Sequence, residues 1–111
     1  MDTLTTLPVT EWAQAIEETF EHYGKPPMNA DMQSLLLFDR AQGQFVMLHH
    51  GCYRGEYDNR VVAHLELRGD QILVHDEDTG MNFIAPNLIR QGVPRDKITV
   101  TSRPDYYIQE L

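Results

Sequence analysis

The sequence predicts an α+β domain, an antiparallel sheet of about four to five strands packed against two helices. Three observations carry that expectation. Apolar residues near the N-terminus recur at helical spacing. Four runs rich in apolar and β-branched residues follow, divided by glycine-bearing turns. A second short helical segment then ends at Gly92, just before Pro94.

Helix one is read from Trp12, Ile16, Phe20 and Tyr23, which recur at spacings of four, four and three, with Glu17, Glu18 and Glu21 on the opposite side. Thr10 is the expected N-cap. Glu11 falls in the first turn, where the helix dipole favours a carboxylate. Gly24 is the expected residue just past the end, and Pro26-Pro27 forbids continuation, so the helix is expected over Glu11 to Tyr23.

Residues 25–32 read as a loop. Ser34 to Asp39 is a nearly continuous apolar run, and Phe45 to His50 a second, with the turn Ala41-Gln42-Gly43-Gln44 between them. The pair is expected to form an antiparallel hairpin. Gly51 to Asn59 reads as a polar interruption. Arg60 to Leu67 and Gln71 to His75 are the third and fourth strands, joined by a tight turn at Gly69-Asp70.

That turn pairs Leu67 with Ile72, Leu65 with Val74 and His64 with His75. Alternation then assigns Val61, Ala63, Leu65, Leu67, Ile72 and Val74 to the face that packs on helix one. Val62, His64, Glu66, Leu73 and His75 fall on the other face.

Asp76 to Gly80 reads as an acidic turn. Helix two is expected over Phe83 to Gln91, with an N-cap near Asn82 and Pro86 in the first turn, where a missing N–H costs nothing. Gly92 ends it, Val93 makes the hydrophobic contact back, and Pro94 closes the exit. Lys97 to Thr101 is a β-branched strand. The tail from Pro104 to Ile108 has no clear period.

At 111 residues the chain is expected to be one domain, and 41% hydrophobic residues argue for a folded one. Its formal charge of −8, from 17 acidic against 9 basic side chains, disfavours direct contact with nucleic-acid phosphate and suits a basic protein partner. A single cysteine, Cys52, fits a reducing, cytoplasmic setting and reads as a small buried residue after a strand. The start Met1-Asp2-Thr3-Leu4 lacks the pattern of a signal peptide, and no apolar run approaches the length of a membrane span.

Candidate chemistry is sparse. His64 and His75 could share a zinc with Glu66 or Asp76, but zinc needs three or four ligands and no HxxxH or CxxC spacing is present. A half-exposed pair on a sheet face is the plainer reading. Cys52 near His50 could pair as nucleophile and base, which requires a lowered thiol pKa and a base in reach. Asp76, Glu77 and Asp78 lack the spaced ligands of a calcium loop. Arg54, Arg60 and Arg68 are diluted by Glu56, Asp58 and Asp70 as a nucleic-acid patch. There is no phosphate loop and no nucleophile elbow. No catalytic residue, metal site or cofactor is assigned.

An ordered set of segments from about Trp12 to Val100 resembles the XisI-like family, the controlling factors of fdxN-element excision in cyanobacteria. It comprises the aromatic helix ending at Tyr23, Leu36-Leu37-Phe38-Asp39, Gly51 after the second strand, Arg60, and His64-Leu65-Glu66-Leu67. The acidic turn Asp76 to Thr79 and the exit Gly92-Val93-Pro94-Arg95-Asp96-Lys97-Ile98 complete it. Cys52 and Leu73 stand where the family has tryptophans, and Gly80 where it has a glutamate. The resemblance implies a non-enzymatic accessory protein of DNA rearrangement, paired with a XisH-like protein of nuclease fold. An antitoxin-like inhibitor of a nuclease is the alternative, a metal-dependent hydrolase a weaker one and a DNA-binding subunit a fourth. The expected partner-binding residues are Arg60, His64, Glu66, His75, Asp76, Asp78, Tyr106 and Tyr107. A second copy of the chain is a further candidate partner. No membrane is expected.

Overall fold

The structure is a computed structural model that describes residues 6–24, 31–78, 84–103 and 105–108. Two helices, α1 (Trp12–Tyr23) and α2 (Ile84–Arg90), cover one face of a five-stranded sheet. The strands are β1 (Met32–Asp39), β2 (Gln44–Tyr53), β3 (Glu56–Arg68), β4 (Gln71–Glu77) and β5 (Ile98–Val100), in the spatial order β1-β2-β3-β4-β5. The first four are antiparallel to their neighbours, as expected. The fifth departs from the expected antiparallel sheet: β5 runs parallel to β4, because α2 carries the chain back across the sheet between them.

The helical spacing of α1 delivers Trp12, Ala15, Ile16 and Phe20 to the core. They meet Phe45, Met47, Ala63, Leu65, Ile72 and Val74 from the sheet, and Ile84, Ala85 and Leu88 from α2. Trp12 donates its indole N–H to the Leu7 carbonyl at 2.9 Å, so the one polar atom of a buried ring is satisfied. Thr10 does not cap α1. The chain enters through a 3₁₀ turn, Val9–Glu11, in which the Glu11 N–H is taken by the Pro8 carbonyl, and no side chain caps the helix. Gly24 follows α1 with φ −87°, outside the left-handed region. A Cβ there would lie 2.7 Å from the Phe20 carbonyl and 2.9 Å from Leu36, so close packing, not turn geometry, explains the glycine.

The end of α2 is as expected. Gly92 N–H bonds the Ile89 carbonyl, Val93 N–H bonds the Leu88 carbonyl, and Val93 is buried. This is a Schellman closure with its hydrophobic contact. The expected cap near Asn82 and the expected start at Phe83 lie outside the described residues, as do Thr79, Gly80, Pro26, Pro27 and Pro104. Within the described part, the Glu77 carboxylate accepts the Ile84 N–H at 2.7 Å, which satisfies one donor of the first helical turn.

The largest correction concerns Gly51 to Asn59. No interruption exists there. β2 and β3 pair continuously to Tyr53 and Glu56, and Arg54-Gly55 alone makes the turn. Both turn residues have positive φ, +52° and +84°, as a two-residue turn matched to strand twist requires. Cys52 lies on this arm and is exposed, not buried as expected.

Two bulges correct the face assignment. The β2–β3 register slips between Met47 and Leu48, so Val62 is the extra residue. Val62 and Ala63 both enter the core, and Val61, expected inside, is 39% exposed. The β3–β4 register slips between His64 and Leu65, leaving His75 as the extra residue. His64 is therefore paired with Asp76 and not with His75. Leu65–Val74 and Leu67–Ile72 pair as expected.

Candidate functional site

The candidate site is the outer face of the sheet, opposite the helices. The bulge at His75 brings its ring against that of His64, with centroids 4.7 Å apart. His64 Nε2 lies 2.7 Å from Gln44 Oε1, an amide acceptor, so this nitrogen carries the ring proton as donor. His75 Nε2 lies 2.8 Å from Glu66 Oε1 and its Nδ1 lies 3.2 Å from Thr101 Oγ1. The Thr101 hydroxyl also reaches the Val74 carbonyl at 3.3 Å. Its single proton cannot serve both. The contacts run as a chain from Glu66 through the His75 ring and the Thr101 hydroxyl to the Val74 carbonyl.

The electrostatics of the two rings differ. Burial holds the His64 pKa below its ordinary value, and His75 beside it acts in the same direction, against the pull of Glu66 and Asp76. The hydrogen bond from His75 holds the Glu66 carboxyl below the usual carboxylate range, helped by Arg68 at 3.0 Å. Neither ring is placed for zinc. Among the described residues, no group of three His, Cys, Asp or Glu side chains could hold a metal ion.

The other expected binding residues fall into separate groups. Arg60 bonds Asp58 at 3.0 Å and Asp78 at 2.6 Å, making an exposed ion cluster at the base of the β2–β3 arm. Asp76 sits opposite His64 in the ladder. Tyr106 and Tyr107 belong to the tail beyond β5, where Arg103 lies over the Tyr106 ring at 4.4 Å and Arg95 over the Tyr107 ring at 4.5 Å. That tail is pinned by Ile108, which is buried in the core and whose carbonyl accepts from Arg95 Nε. The eight residues are thus one histidine-centred cluster with two outlying groups.

Sequence reasoning missed Gln44 and Thr101, the polar partners of the two histidines. It also missed the exposed leucines on the same face. Leu35 is 42% and Leu37 53% exposed, and they continue across Val46 and Leu48 to Val61. The alternation of β1 carried this signal, since Gln33, Leu35, Leu37 and Asp39 share one face, but a continuous apolar run conceals which face is open. On the core side, Ser34 Oγ and His49 Nε2, on directly paired residues, are buried without a hydrogen-bond partner among the described residues. Burial, with Arg60 nearby, keeps the His49 pKa low. A cleft of about 120 Å³ lined by Leu7, Glu11, Gln14, Ala15, Glu18 and Gln91 is far smaller than the ~300 Å³ at which small-molecule sites begin.

A model of the family described as XisI protein matches residues 1–109. The chain belongs to the XisI family. The fold agrees. A crystal structure of a XisI-like protein from Anabaena variabilis ATCC 29413 superposes with a TM-score of 0.72 at 17% identity, covering 92% of this chain and 100% of that one. The fdxN element excision controlling factor XisI, also from Anabaena variabilis ATCC 29413, superposes with a TM-score of 0.67 at 18% identity, covering 86% and 91%. At such identities the two structures show a common XisI fold. No curated protein matches the sequence. None of the helices among the described residues is long and apolar enough to cross a membrane.

Proposed function

We propose that this XisI-family chain is a non-catalytic accessory protein of DNA-element excision. In this reading it binds a XisH-like protein of nuclease fold through the β3–β4 part of its outer sheet face. One observation carries the reading. Both helices lie on the opposite face, leaving Val61 exposed on the same face as the His64–His75–Glu66 cluster. Apolar surface flanked by hydrogen-bonding polar groups is the composition of a protein interface.

The charge of −8 supports a basic partner surface, such as the DNA-binding face of a nuclease. Glu66 and Asp76 supply acidity beside the histidines, with Arg60, Asp78, Tyr106 and Tyr107 assigned to the rim. The protein would position or restrain its partner and leave the cutting and joining of DNA to others.

The test is titration calorimetry of the full chain with a purified XisH-like protein. A complex of defined stoichiometry is expected, weakened at least tenfold by the combined Val61→Lys and Glu66→Lys substitutions. Absence of heat, together with co-elution failure at low salt, would remove the reading. Nuclease assays on the same complex separate assistance from silencing.

A further inference from the structure

The strand order leaves β1 at one edge of the sheet, paired only with β2 among the described residues. The alternation of its backbone bonds is fixed at one end. The Cys52 N–H donates to the Asp31 carbonyl at 3.3 Å, one step beyond the Met32–Gly51 pair. In an antiparallel ladder only every second residue bonds its neighbour. Gln33, Leu35, Leu37 and Asp39 therefore bond β2, and Ser34, Leu36 and Phe38 turn their N–H and C=O groups outward. An edge of this kind is ordinarily blunted by a lysine, a proline or a bulge. β1 has none of these: its sequence is MQSLLLFD, and it pairs with β2 over all eight residues without a slip.

We propose that this edge joins a second copy of the chain, β1 against β1, antiparallel about a two-fold axis perpendicular to the sheet. Side-chain complementarity selects the register. With Leu36 opposite Leu36 of the second copy, Ser34 faces Phe38 and the outward backbone groups of all three residues meet as bonded pairs. On the outer face Leu35 then lies against Leu37 of the second copy, covering the two most exposed leucines of the strand. Gln33 falls opposite Asp39, an amide donor facing the one charge of β1. The two Asp39 side chains sit six residues apart along the ladder, about 20 Å, so like charges do not meet. The product is a ten-stranded sheet with every helix on one side. The interface is isologous, so it closes at two copies.

The test uses the full chain. Sedimentation equilibrium is expected to show a reversible dimer, twice the 12.8 kDa chain mass, at tens of micromolar. Leu35→Lys with Leu37→Lys, at positions that bury nothing in the core, is expected to weaken it at least a hundredfold without changing the circular dichroism spectrum. In a Cys52→Ser background, an oxidised mixture of the single variants Leu35→Cys and Leu37→Cys is expected to give the mixed disulfide dimer, whereas neither variant alone cross-links. A chain that is monomeric at 100 micromolar, a dimer indifferent to the lysines, or cross-linking of Leu35→Cys with itself would each overturn the proposal. None of these readouts involves the XisH-like protein, so the outcome is independent of the function proposed above.

Discussion

His64 and His75 touch although the ladder does not pair them. The bulge gives Asp76 to His64 as its cross-strand partner, yet the His64 and His75 rings still meet on the outer face at 4.7 Å. A regular register would have placed them opposite each other by default. The bulge instead gives each ring its own acceptor, Gln44 for His64 and Glu66 for His75.

Burial of His64 and of His49, reinforced by His75 beside the first and Arg60 near the second, makes the fold sensitive to acid. His64 and His49 both have folded pKa values below the ordinary histidine value of about 6.5. A lowered pKa means that the unfolded chain binds the proton more readily. The stability from these groups is therefore fully present above about pH 6.5 and is lost as pH falls through the folded values. Glu66 and Glu17, lowered from 4.5, act the same way at lower pH. We expect Tm to fall between about pH 7.5 and 5.5, and expect His64→Gln to flatten that slope. Thermal denaturation of both proteins across the range measures it, and a rising Tm would contradict the assignment.

Arg54 is the only non-glycine residue with positive φ among the described residues. A branched or long side chain in the left-handed region costs roughly 1–2 kcal/mol, and asparagine tolerates that region best. Arg54→Asn is expected to stabilise the chain by up to about 1 kcal/mol, read as a higher urea midpoint at unchanged slope. Loss of stability would mean that the Arg54–Tyr53 ring contact, 5.2 Å from the centroid, outweighs the strain.

Gly51 predicts the opposite outcome. Its φ is +144°, and a Cβ would meet the Asp31 carbonyl at 2.0 Å and the Met32 Cα at 2.8 Å. The obstacle is backbone, which cannot rotate away. Gly51→Ala should destabilise by about 3 kcal/mol or more, through the combined strain and displacement of β1. Equilibrium unfolding tests this, and hydrogen exchange should place the damage in β1.

Phe20 and Leu37 offer a matched control. Phe20 is fully buried, edge-on to Phe38 at 5.9 Å, and Leu37 is half exposed. Phe20→Ala should cost about 3–5 kcal/mol from lost burial and a cavity, whereas Leu37→Ala should stay within about 0.5 kcal/mol in the isolated chain. Similar losses at the two positions would mean that Leu37 is covered.

Much of this was legible in the sequence for identifiable reasons. The four-four-three spacing of α1 and the Gly92-Val93-Pro94 exit of α2 are local signals, and both appear where expected. The Gly69-Asp70 turn set the β3–β4 register correctly as far as Leu65. The failures are places where a rule of local chemistry was broken. Arginine at positive φ is not a turn signature, so the β2–β3 hairpin was hidden. A bulge inserts one residue without any composition mark, so Val61 and Val62 exchanged faces. Gln44 and Thr101 join the histidines only through tertiary geometry, and no spacing in the chain connects them.

All five strands lie in the sheet in the order in which the ribosome makes them, and the first four are joined as antiparallel neighbours. Each new strand needs only the one just formed, so the entropy of closing each loop is small and the meander should assemble within milliseconds as successive hairpins. The parallel strand β5 is the exception. It must wait for α2 to cross the sheet before Ile98 can meet Ile72. Thr101, the residue that fixes His75, follows directly after it. The Thr101 contact should therefore be the last part of the histidine cluster to form and the first to come apart.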